Sequence, residues 1–208
     1  MGALAEEVHT IDLPEGVTTP GWFDTRTTLA AIPFPGSLEG RRCLDVGTCD
    51  GFWAFSMKSR GAHEVVGIDL DDPAKRDFPE LVPQERDDAG RAASAFAIAQ
   101  RALGMSVERV PMSVYDLTPE SVGRFDFAFA GSILLHLRDP VRALATVRSV
   151  TTGEAFVCDM ISVSLSRLFP RRPAAFLDGH VHPWWWTPNL AGLQRMMHAA
   201  GFEVTALG

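Results

Sequence analysis

Cysteine, tyrosine and lysine are scarce. The chain has three cysteines and one tyrosine in 208 residues, and Lys58 and Lys75 are its only lysines. An odd, small set of cysteines (Cys43, Cys49, Cys158), set in apolar or Gly-rich surroundings, excludes a disulfide scaffold and reads as reduced thiols. No stretch reaches the roughly 18 consecutive apolar residues that a membrane helix needs, so no membrane partner is expected. There is no internal repeat and no low-complexity tract. The first ten residues carry Glu6 and Glu7 instead of a basic run leading into an apolar one. That reads against a secretory signal and points to the cytoplasm. A net charge of −7 argues against a broad phosphate-binding field, while a local arginine patch stays open to nucleic acid. What is present, 46% hydrophobic and 22% charged residues, fits one globular domain with a small appendage.

Residues 1–40 are punctuated by Pro14, Gly16, Pro20, Gly21, Pro33, Pro35 and Gly36, too closely for long elements. They read as an N-terminal cap or lid with one short helix over 22–31. From residue 41, apolar runs alternate with amphipathic stretches. Strands are expected at 43–46, 64–70, 107–114, 125–130, 154–160 and 202–207. Helices are expected at 52–59, 89–103 and 140–150, with a last one running from an N-cap at Thr187 to Ala200. The acidic segment 71–88 reads as a loop. This alternation predicts an α/β, Rossmann-like doubly wound and mostly parallel sheet over 41–208, with six strands and a lid insert at about 161–187. In such sheets, ligands lie beyond the carboxyl ends of the strands, at the switch point.

The turn Asp45-Val46-Gly47-Thr48-Cys49-Asp50-Gly51 sits at such an end and opens a helix. Glycines there admit a ligand close to the backbone, and a helix start offers unpaired N–H groups. The spacing is not that of a dinucleotide fingerprint. Asp69 ends the next strand, where a carboxylate can accept both hydroxyls of a ribose.

DVGTCDG followed by VVGIDL resembles the class I S-adenosylmethionine-dependent methyltransferases. Cys49 stands where that family usually has its middle glycine, which leaves less room near the methionine part of the cofactor. More narrowly, Thr19 to Trp22, SLEGRRCLDVGTCDGFWAF, FAGSILLHLRDP and WWWTPNLAGLQRMMHAAGFEV resemble proteins related to the tRNA wobble-uridine carboxymethyl transferases. That family reads a carboxylated cofactor with a lysine and a tyrosine. Here no lysine lies between Trp22 and Arg41, and Leu135 takes the tyrosine's place, so plain S-adenosyl-L-methionine is expected. The resemblance implies cofactor contacts at Trp22, Asp45, Gly47, Thr48, Asp50 and Gly51. It implies Asp69 and Leu70 at the ribose, Ser113, Val114 and Tyr115 at the adenine, and Gly131 and Ser132 at the methionine end.

Methyl transfer from a sulfonium is an in-line displacement, helped by alignment and by a base for the acceptor. His136, after the fourth strand, is either that base or a histidine bonded to backbone. His180 and His182, beside Asp178 and the run Trp184-Trp185-Trp186, are further candidates for base or substrate contact, or ordinary loop residues. No metal site is assigned, although Asp159, Asp178 and these histidines have ligating chemistry. Arg167, Arg171 and Arg172 form a small basic patch, either solvated or facing an anionic partner. The expected protein is a biosynthetic transferase acting on a small-molecule acceptor. The alternatives are a tRNA wobble-uridine modifier and a cofactor-binding protein without turnover. The resemblance implies a seventh strand with no counterpart after 202–207; a shortened chain, a strand supplied by a partner and a sheet ending at six strands stay open, and an unpaired inner strand would be an edge able to drive a homodimer.

Overall fold

The computed structural model describes residues 9–80, 88–180 and 182–207. A short helix α1 (Thr25–Ala31) precedes β1 (Arg42–Val46), α2 (Phe52–Lys58), β2 (Glu64–Asp69), α3 (Asp88–Leu103) and β3 (Glu108–Pro111). Then come α4 (Pro119–Val122), β4 (Phe125–Gly131), α5 (Pro140–Val150) and β5 (Thr151–Cys158). The chain continues through α6 (Val163–Leu168), β6 (Ala175–Leu177), β7 (Trp186–Pro188) and α7 (Leu190–Ala199).

The main sheet has the order β3-β2-β1-β4-β5, and every pairing in it is parallel. β6 and β7 form a separate antiparallel hairpin. Register sets the strand ends level: Val46 pairs with Ile68 on one side and Ala130 on the other. The chain direction across the sheet reverses between β1 and β4, which makes that junction the switch point.

Burial on both faces explains the apolar strands. In β4, Phe127 and Phe129 enter one core cluster with Trp53, Phe55 and Met57 of α2, while Ala128 and Ala130 enter the other with Ala143, Leu144 and Val147 of α5. α5 starts where the Asp139 side chain accepts the Arg142 N–H, with Pro140 at its first position. Its buried Ala143, Leu144, Val147 and Val150 repeat at the helical period.

Several expectations are corrected. No strand forms over 202–207 among the described residues. The Phe202 N–H closes the end of α7 by donating to the Met197 carbonyl (3.0 Å), and its side chain packs on the core. Its apolar alternation is real, but a strand also needs a neighbour to pair with. Thr187 and Pro188 belong to β7, and the true N-cap of α7 is Asn189, whose side chain accepts the Gly192 N–H. The first helix begins at Thr25, capped by Asp24, and not at Trp22. The expected loop over 71–88 lies partly outside the described residues.

Candidate functional site

The turn after β1 is shaped by its glycines. Gly51 has φ +93°, and a Cβ there would stand 2.5 Å from Phe55 and 2.7 Å from Phe96. Gly47 has φ +76° and touches the Ile133 side chain. Cys49, at the position of the family's middle glycine, also adopts a left-handed backbone (φ +51°). For a residue with a Cβ this costs about 1 kcal/mol or more. What holds it there is Asp69: its Oδ2 accepts the Cys49 N–H at 2.7 Å, and its Oδ1 accepts the Leu70 N–H at 2.7 Å.

Asp69 faces an open cleft beyond the ends of β1 and β2. Gly47, Leu70, Ser113, Val114 and Tyr115 line it, together with Lys75, Asp77, Met112, Ile133 and Leu137, which the sequence did not single out. Ser113 accepts the Tyr115 N–H and starts the 3-10 turn Val114–Asp116. Burial raises the Asp69 pKa, opposed by the two backbone N–H groups.

Asp77 fastens the cleft's outer wall. Its Oδ2 accepts the Tyr115 hydroxyl (2.8 Å) and the Arg138 N–H (2.6 Å), and its carbonyl accepts the Trp185 Nε1–H. Tyr115 is thereby tied to the loop that follows β6.

The remaining predicted residues fall into distinct places. Asp45 is fully buried, its Oδ2 has no hydrogen-bond partner, and burial pushes its pKa up to about 7. Thr48 is buried against Gly67 and its hydroxyl is likewise unpartnered. Asp50 is buried, and both its oxygens are taken by His9. Gly131 ends β4, and Ser132 follows with φ +52°. Trp22 is 72% exposed and does not line the cleft. Its segment packs mainly on the α2 face, where Ile11 and Leu38 are buried with Phe34 beside them.

His136 lies in the 3-10 turn Leu134–His136, after β4. Its Nδ1–H donates to the Pro183 carbonyl. A carbonyl only accepts, so the neutral ring keeps its lone pair on Nε2. Burial lowers its pKa below 6.5. Asp159 supports this turn: its Oδ2 accepts the Leu134 N–H (2.7 Å) and its Oδ1 the Met160 N–H (2.8 Å). Both bond partners are backbone, and burial raises the Asp159 pKa to about 6. His182 is exposed. Its Nδ1 meets Asp178 Oδ2 at 2.8 Å, and its ring stacks on Trp184 at 4.4 Å. The His180 N–H donates to Asp178 Oδ1, and its side chain is exposed. His180 and His182 are thus drawn together around Asp178, apart from the residues that line the cleft.

A family model described as a methyltransferase domain matches residues 20–207. The chain belongs to this methyltransferase-domain family. The fold is of the class I type, and solved structures agree. A [4+2]-cyclase, SpnF, superimposes with a TM-score of 0.61 at 23% identity, over 88% of this chain and 59% of the other. A Burkholderia thailandensis 1,6-didemethyltoxoflavin-N1-methyltransferase, solved with S-adenosylhomocysteine, gives 0.52 at 17% identity over 78% and 60%. Among sequences, a tRNA U34 carboxymethyltransferase of Dichelobacter nodosus is 28% identical over 169 residues, covering 81% of this chain and 47% of its own length. The chain spans about half the length of the curated relatives it matches. Among its described residues, no helix is long and apolar enough to cross a membrane.

The residues fit the family's cofactor. Each Asp69 oxygen uses one backbone N–H and retains acceptor capacity for a ribose hydroxyl. Ser113, Val114 and Tyr115 line the same cleft as Asp69, so polar and apolar groups converge there. Beside the turn, the unpartnered Asp45 Oδ2 marks a polar position without a protein partner.

Proposed function

We propose that the protein transfers a methyl group from S-adenosyl-L-methionine to a small-molecule acceptor. The observation that carries this reading is Asp69, which shapes the glycine turn with two hydrogen bonds and faces the cleft with spare lone pairs. In this reading Asp69 accepts from the ribose hydroxyls, and Leu70 flanks them. Val114 and Tyr115 clasp the adenine, with Ser113 as a polar neighbour. Gly131, whose missing Cβ accommodates the Phe129 ring, and Ser132 after it lie at the methionine end. When bound, the cofactor supplies a sulfonium methyl already activated for in-line displacement.

The chain then has to align the acceptor, exclude water and take a proton from a hydroxyl or amine. His136 suits the last task. Its tautomer is fixed by Pro183, and its lowered pKa keeps it neutral at physiological pH. His182, held by Asp178 and stacked on Trp184, is the second acceptor-side group, and His180 flanks it. The plain cofactor is supported by Leu135, which is buried and apolar where the carboxylated cofactor would need a hydroxyl. The acidic balance of the chain favours a small acceptor over an RNA.

A second reading has specific support. The sequence relatives named as tRNA U34 carboxymethyltransferases make a tRNA wobble base the alternative acceptor. One experiment separates the two. The purified protein is incubated with labelled cofactor and either a metabolite extract or bulk tRNA, and products are read by mass spectrometry. A metabolite gaining one methyl supports the first reading. Label entering tRNA supports the second. Binding of S-adenosylhomocysteine without turnover in either arm makes it a non-catalytic binding protein.

A further inference from the structure

The segment before α1 delivers a side chain to the glycine turn. Both oxygens of the buried Asp50 are spent on one residue, His9: the backbone N–H donates to Oδ2 (2.6 Å), and the ring Nδ1 meets Oδ1 (2.6 Å). Since a carboxylate accepts, Nδ1 carries the proton and Nε2 is left free. The ring also leans on Phe52, the first residue of α2, at 5.9 Å.

His9 is built in. Its carbonyl accepts the Thr19 hydroxyl (3.1 Å), and the next residue's N–H donates to the Phe23 carbonyl (2.9 Å). Gly21 passes so close that a Cβ there would stand 2.1 Å from the His9 carbonyl carbon. Only glycine permits that crossing, so the segment 9–24 is folded against itself at the point where it presents His9.

The surroundings define what His9 meets. His9, Cys49 and Asp50 bring their polar atoms within 4.8 Å of one another. Asp45 opens the same turn, and its Oδ2 is buried with no partner. Asp69 adds a third carboxyl on the far side of the turn. A turn so rich in carboxyl groups, with an unused carboxyl oxygen and an imidazole that can only accept at its free nitrogen, selects a ligand group that is cationic and donates hydrogen bonds.

We infer that His9 reads the amino-acid end of the cofactor, with Nε2 accepting from its α-ammonium group. This rests on the cofactor reading above and extends it to a residue from outside the sheet. Asp50 is then a positioning residue, acting through His9 and not on the ligand. Binding of the cofactor and docking of the N-terminal segment become one event.

The test compares two ligands by calorimetry. S-adenosylhomocysteine carries the amino-acid end, and 5′-methylthioadenosine has the same nucleoside without it. His9→Ala is expected to weaken S-adenosylhomocysteine on the order of tenfold or more and to leave methylthioadenosine within about twofold. His9→Asn keeps a donor near the Nδ1 position and lacks anything at Nε2, so it should stay defective. His9→Gln, which reaches further, should recover part of the loss. An equal loss for both ligands, or a fully restored His9→Asn, means that the residue only docks the segment, and the inference fails. Unchanged S-adenosylhomocysteine affinity in His9→Ala also overturns it, while leaving the cofactor assignment intact. If the unaltered protein binds neither ligand, the cofactor assignment falls first and this inference with it.

Discussion

The carboxylate of Asp69 reaches the backbone N–H of Cys49 at 2.7 Å, joining the end of β2 to the turn that leaves β1. The same carboxylate both shapes the glycine turn and faces the cleft. A left-handed cysteine is tolerated because a charge-assisted bond pulls its N–H toward the cleft.

Asp69→Ala should therefore weaken S-adenosylhomocysteine binding by tenfold or more, from lost hydroxyl contacts and from a relaxed turn (about 1.5–3 kcal/mol for bonds to a charged group). Calorimetry measures it. An affinity within twofold of the original would remove Asp69 from the site.

Replacing His136 by Gln should leave S-adenosylhomocysteine affinity within about twofold and lower kcat by about 10²–10⁴-fold if it is the base. The active form is the neutral one, and burial moves the titration below 6.5. The rate of the unaltered protein should rise with pH through that acidic range and then level off, and the variant should lose the step. A pH–rate profile with the identified acceptor checks both.

Asp45 has a pKa raised to about 7 from 3.8. The folded protein thus holds a proton that the unfolded chain has released between about pH 4 and 7. Stability from this group falls as pH rises through that window, and the penalty is constant above it. Asp45→Asn should raise Tm relative to the unaltered protein more at pH 8 than at pH 5, as read by thermal denaturation across pH. A Tm difference that does not change with pH would refute the assignment.

At Gly51, any Cβ collides with Phe55 and Phe96 at a left-handed backbone. Gly51→Ala should destabilise the fold by about 1–3 kcal/mol. Differential scanning calorimetry should show a Tm lower by several degrees.

Much of this was legible from residue order alone. β1, the glycine turn, α2 and the acid at the end of β2 are all written in short-range patterns: continuous apolar runs, glycines at a strand end, one carboxylate at a strand terminus. The cleft residues Ser113, Val114 and Tyr115 followed from the family resemblance. Residues 202–207 misled because apolar alternation records a preference for a pleated surface and says nothing of whether a neighbouring strand exists. Thr187-Pro188 looked like a helix start, yet Asn189 outcompetes it. Its buried amide accepts from Ala174 and Gly192 and donates to the Phe169 and Arg172 carbonyls, bonds to a segment far away in sequence. His9 carried no signal, because its meaning lies in Asp50, 41 positions on. The same holds for Asp77, an unremarked acid in a loop.

Asp77 joins the cleft to its neighbouring loops. Its carboxylate holds Tyr115, which lines the cleft, and its carbonyl holds Trp185 of the loop after β6. Loss of this one carboxylate would therefore release the Tyr115 hydroxyl and the Arg138 N–H together, unlatching Tyr115 from the turn after β4.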